Sequence, residues 1–248
     1  LESVGFTVFF SGQSLIGTPF DPKVRYDQYR DRFVMIVLDG KSSNTDQSQV
    51  LIAISDDSNP LGTWHKTKIT SVEDIDGTNH WADFPGLGMD ANALYITNNM
   101  FTFGGSPVGG GQRLWIVAKD PLYAGGAISS TIHVPWTEVG QDITGVTLMP
   151  SHAYGSLPGS TGTFLLGYSG LTSGGIPLVG VIRVDDPLGT PGFVLSISSL
   201  GTIDSLEDSI PDAPQFGSSA TIATNDRRAL DLVWRENTLW GVFTVVPP

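Results

Sequence analysis

Ala82-Asp83-Phe84-Pro85, followed at once by the short small-residue run 86–89, has three counterparts in the chain: Phe20-Asp21-Pro22, Pro150-Ser151-His152 and Ala213-Pro214-Gln215-Phe216. Each sets a polar side chain beside proline just ahead of a β-forming segment. The joins recur about every 60 to 70 residues, against roughly 40 to 50 in familiar propeller repeats. The excess falls in loops such as 104–112 and 201–212.

Between the joins the apolar runs have strand length and are bounded by Gly, Pro, Asn and Asp, with almost no sustained helical period. The first unit reads as strands 23–27, 32–38, 49–55 and 64–69. The second reads as 86–89, 93–98, 113–119 and 131–134, and the third as 152–155, 163–168, 178–184 and 193–198. A fourth, shorter unit holds 229–234 and 239–245. Four-stranded units in tandem predict an all-β fold, a small β-propeller of four blades, with five as the alternative count. A β-sandwich is the structural rival, although it gives no reason for the recurring joins. Residues 1–248 read as one domain. Val4-Gly5-Phe6-Thr7-Val8-Phe9-Phe10, within the terminal segment 1–11, is expected to close the ring as a strand or to be donated to a neighbouring molecule, which would build a filament.

Composition bounds the function. The chain has 248 residues and a formal net charge of −12, with 20 Asp, five Glu and 13 Lys plus Arg. The scattered cations supply no stripe for phosphates, so nucleic acid is not an expected partner. Without cysteine there are no disulfides, thiolate metal sites or thiol nucleophiles. No apolar stretch approaches the ~20 residues of a membrane span. Few lysines, abundant Thr, Ser and Gly, and absent Cys point to a bacterial extracellular or cell-surface setting.

The Asp bias suits turns and also calcium, a hard cation with oxygen ligands. Glu73-Asp74-Ile75-Asp76-Gly77-Thr78-Asn79-His80-Trp81-Ala82-Asp83 concentrates such ligands, although it lacks the third ligand and terminal Glu of an EF-hand loop. Asp74, Asp76, Asp83 and Asp21 are therefore the candidate calcium ligands. In a propeller the polar residues of the joins, Asp21, Asp83, His152 and Gln215, would point toward one axis. His152 suits a transition metal or solvent there better than calcium. Trp81 and Asn98 are the candidate ligand-facing residues, whereas Trp64 and Trp240 read as packing between blades. Asp56-Asp57 and Asp185-Asp186 read as turn caps. No Gly-x-Ser-x-Gly elbow, zincin His pair or P-loop ending is present.

Asp21-Pro22-Lys23-Val24-Arg25-Tyr26-Asp27 with Arg32-Phe33, Ile54-Ser55-Asp56-Asp57, Leu61-Gly62-Thr63-Trp64 and Trp81 through Gly88 resemble a loose group of uncharacterised bacterial secreted propeller-like proteins. The likeness continues in Leu94 through Phe101, Pro214-Gln215, Asp226-Arg227 and Leu239-Trp240. It implies a fold and an extracellular setting. Asp21-Pro22 and the Ser55-to-Trp64 turn are also similar to five-bladed propeller glycosidases, which need a Glu acid on an inner strand. Here the Glu residues fall in turns and linkers. The expectation is a non-catalytic extracellular binding or structural module, stabilised by calcium and self-assembling through its terminal strand. The alternatives are a carbohydrate-active enzyme using Asp21 and Asp83, and a lectin-like module binding extracellular glycan.

Overall fold

Apolar residues fill positions 34–38 and 50–54 without interruption, the composition of strands covered on both faces. The computed structural model describes residues 4–42, 45–104, 109–144, 146–168, 172–173, 176–200, 210–224 and 228–244. Strands β1 (Phe20–Asp27), β2 (Arg32–Ser42), β3 (Gln47–Ser55) and β4 (Trp64–Thr70) form an antiparallel meander. Its outer face, with Met35, Val37, Leu51 and Ala53, is covered by the chain's N-terminal segment. That segment is one helical turn, α1 (Phe6–Phe9), and not the strand expected over residues 4–10. Phe6, Phe9 and Phe10 stand three and four residues apart, so a helix puts all three rings on one side, against the sheet. Phe10 is fully buried while Val8 is 69% exposed.

The second unit comprises β5 (Glu73–Ile75), β6 (Thr78–Met89), β7 (Ala93–Thr102), β8 (Gly109–Ala118) and β9 (Ser130–His133). Short helices α2 (Lys119–Tyr123) and α3 (Pro135–Glu138) flank β9. Residues 105–108 of the expected 104–112 loop lie outside the described residues, and its last residues belong to β8.

The third unit departs from expectation at its inner edge. β10 (Leu148–Pro150), not 152–155, pairs antiparallel with the next strand of its own sheet. The chain then leaves that sheet, and β11 (His152–Tyr154) runs parallel to β6. β12 (Thr161–Gly167), β13 (Thr172–Ser173), β14 (Ile176–Asp185) and β15 (Gly192–Ser199) complete the unit. A small hairpin, β16 (Ala213–Pro214) and β17 (Thr221–Ile222), precedes the last hairpin, β18 (Ala229–Arg235) and β19 (Thr238–Phe243). β18 pairs parallel with β11, so the last hairpin joins the second unit in an eight-stranded sheet. Most of loop 201–212, Asp226-Arg227 and residues 245–248 lie outside the described residues.

The sheets stack in chain order. Val34, Ile36, Ile52 and Ile54 of the first pack on Leu94, Ile96, Trp115 and Val117 of the second. The reverse side of β7 and β8, with Ala93, Tyr95, Leu114 and Ile116, packs on Leu148, Leu165, Ile182 and Val184 of the third. The third then meets Ala229, Leu232 and Leu239 of the final hairpin. The protein is all-β in its main architecture, with several sheets, none closed into a barrel. Among the described residues no helix is long and apolar enough to cross a membrane.

Candidate functional site

Asp27, at the end of β1, and Lys119, at the start of α2, meet where the first two units join. Both side chains have zero exposure, and Lys119 Nζ lies 2.7 Å from Asp27 Oδ2. The ammonium also donates to the Asp90 carbonyl and sits 5.3 Å from the centre of the Tyr29 ring. Asp27 accepts the Tyr123 hydroxyl at 2.6 Å and the Tyr29 amide at 2.9 Å. Burial pulls the Lys119 ammonium below its ordinary pKa, opposed by the hydrogen bond and charge of Asp27. Burial, followed by the Asp27 hydrogen bond, pushes the Tyr123 phenol far up, so it remains a donor.

His152 of β11 is fully buried on the same side of the molecule. Its Nε2 lies 3.0 Å from Gln28 Oε1, and its ring packs 4.6 Å from that of Tyr154. Burial, reinforced by the charges of Arg25 and Lys119, lowers its pKa to about 4. The imidazole is therefore neutral near pH 7 and fixes structure through one hydrogen bond. Arg25 reaches across the first and last units, pairing with Asp231 and donating to the Leu87 carbonyl at 3.4 Å.

Beside this cluster opens a cleft of about 350 Å³, with Asp90, Asn92, Asp120, Ser160, Asp186 and Leu188 in its lining. Gly162 is required at its wall because a Cβ there would collide with the Tyr95 hydroxyl and with Pro187. The carboxylates are already engaged. Asp90 accepts the amides of Asn92 at 2.8 Å and Ala93 at 2.7 Å and the Tyr95 hydroxyl at 3.1 Å. Asp120 pairs with Arg30 at 2.7 Å, and Asp186 accepts the Thr190 amide at 3.0 Å. Such a cleft can hold a polar or cationic group by hydrogen bonds, with no nucleophile and base paired in its lining.

Asp21, Asp74, Asp76, Asp83 and His152 do not come together in any group of three that could hold a metal. Asp74 caps a two-residue hairpin turn, accepting the Gly77 amide at 2.8 Å, and Asp76 (φ 52°) and Gly77 (φ 79°) supply the left-handed pair of a type I′ turn. The expected ion loop is therefore a β5–β6 hairpin. Asp21 stands exposed at a bulge in β1 (φ 48°). Asp83 is half-buried at a bulge in β6, where it accepts the Phe84 amide at 2.8 Å. Gln215 is exposed beside the β16–β17 hairpin, a two-stranded sheet separate from the one that includes the His152 strand. Among the described residues no three His, Asp or Glu side chains form a metal-holding group.

The aromatic expectations exchange places. Trp81 is only 4% exposed, donates to the Thr102 carbonyl at 3.2 Å and packs against Phe101. Trp240, expected between blades, is 64% exposed on edge strand β19. Asn98 is buried, and its Nδ2 donates to the Asp83 carbonyl at 3.3 Å. Alternation marks both tryptophans as strand residues, but which side acquires a neighbour depends on sheet stacking. The Asp27–Lys119 pair left no local signal, since the partners lie on different units.

No family model matches the sequence, and no curated protein or solved structure matches it either.

Proposed function

We propose that this chain is a non-catalytic extracellular module whose sheets are arranged as the blades of a small propeller, built to bind or to scaffold. The observation that carries this reading is the sealed Lys119–Asp27 pair: the best-built polar cluster is spent on joining two sheets. Face-to-face stacking in chain order supports the propeller arrangement, as does the Arg25–Asp231 pair linking first and last units beside the parallel strands β6, β11 and β18.

Glycan is the ligand class favoured by a second observation. Trp240 stands exposed in a shallow groove of about 510 Å³ with Val233, Arg235, Glu236 and Thr238. A ring flanked by such hydrogen-bonding side chains suits a sugar face and its hydroxyls. The test passes the protein over immobilised polysaccharides while assaying the same glycans for released reducing ends. Retention without release, lost in Trp240→Ala, is the expected result. Release of reducing ends would replace the binding reading with a hydrolase.

A further inference from the structure

Three oxygen-bearing side chains stand in a row across the second sheet. Asp83 of β6 is directly opposite Asn99 of β7, and Asn99 is directly opposite Gln112 of β8. Side chains of directly paired residues leave the sheet on the same side, with Cβ atoms about 4.5–5.5 Å apart. Asn99 is 7% exposed and Gln112 3%. Their amide nitrogens are committed, Asn99 Nδ2 to Thr147 Oγ1 at 2.9 Å and Gln112 Nε2 to the Thr144 carbonyl at 2.7 Å. The nitrogen contacts leave Asn99 Oδ1 and Gln112 Oε1 for other partners, yet both are buried without a donor.

Two buried carbonyl oxygens without donors cost free energy unless something positive meets them. The half-buried Asp83 carboxylate, which already engages other groups, has four lone-pair sites and brings negative charge to the same row. We infer that Asp83, Asn99 and Gln112 form a binding site for a hard cation of calcium's size. Calcium accepts carboxylate and amide carbonyl oxygens alike and completes its shell with water. With one carboxylate the affinity belongs in the range of extracellular modules, a Kd of roughly 0.1–1 mM. The site shares only Asp83 with the four aspartates marked in the sequence, and it is independent of whether the module binds glycan.

Trp81 precedes Asp83 by two residues and so leaves β6 on the same side, close enough to sensitise a bound lanthanide. The experiment titrates terbium into the intact protein, excites tryptophan and then competes with calcium. Expected are saturating emission that calcium displaces, loss of emission in Trp81→Phe, and loss of binding in Gln112→Met. Asn99→Asp guards against misfolding as an explanation: Thr147 can donate to the new carboxylate, and the added charge should tighten calcium binding about tenfold or more. Its melting temperature should fall in EDTA and recover with calcium. Emission that calcium does not displace, binding unchanged in Gln112→Met, or an Asn99→Asp variant indifferent to calcium would each overturn the assignment.

Discussion

Lys119→Met is expected to lower the stability of the chain by roughly 3–5 kcal/mol, the cost of breaking a fully buried ion pair from one side. The magnitude follows from what is left behind. Asp27 keeps the Tyr123 hydroxyl and the Tyr29 amide, yet it has no exposure and, among the described residues, no other cation paired with it. For a chain of this length the melting temperature falls by about 2–4 °C per kcal/mol, so a drop on the order of 10 °C is expected. Asp27→Asn alone strands the ammonium and costs a comparable amount. Lys119→Met combined with Asp27→Asn strands neither charge and should return to within about 2 kcal/mol of wild type. Urea unfolding of all four proteins at pH 7 closes the cycle. A single variant within about 1 kcal/mol of wild type, or a double variant equal to the sum of the singles, would refute the claim that this pair holds the first two sheets together.

His152 gives a pH signature: its folded pKa is about 4, below the roughly 6.5 of an unfolded histidine. As the pH falls, the unfolded chain takes up the proton first, so its contribution is complete above about 6.5 and is lost on the way to about 4, on the order of 3 kcal/mol in all. Urea midpoints across that window should show this slope in wild type and a flatter one in His152→Gln. Phe9→Ala and Phe10→Ala should destabilise, by roughly 3–5 kcal/mol at the fully buried Phe10, whereas Val8→Ala should change stability by about 0.5 kcal/mol or less. If residues 4–10 formed a strand, alternation would group Val8 with Phe6 and Phe10, and the Val8 and Phe9 results would be exchanged.

The fold is legible in the sequence where local chemistry decides. Strands β2, β3, β7 and β14 were legible because apolar runs ended at turn-forming residues, and their pairing follows chain order. The fold is hidden where a distant surface decides. Phe6, Phe9 and Phe10 already carried a helical spacing, but their strong β-forming character concealed it, and only the bare outer face of the first sheet selects the helix. Asp76-Gly77 was a legible hairpin turn that neighbouring carboxylates disguised as an ion loop. The row of Asp83, Asn99 and Gln112 was invisible because register, and not spacing along the chain, aligns the three residues.

The departure of the chain from the third sheet after Pro150 bears on how the molecule folds. β11 finds one partner in β6, far earlier in the chain, and the other in β18, far later: His152 is registered with both Met89 and Val233. Closing these contacts draws together residues 89 to 233, more than half of the sequence, so their entropic cost falls late in assembly. Tandem units of this kind could in principle melt one by one, as repeat arrays do when each touches only its neighbours. A thread passing out of one unit and between two others removes that independence, making the chain fold as a knit whole.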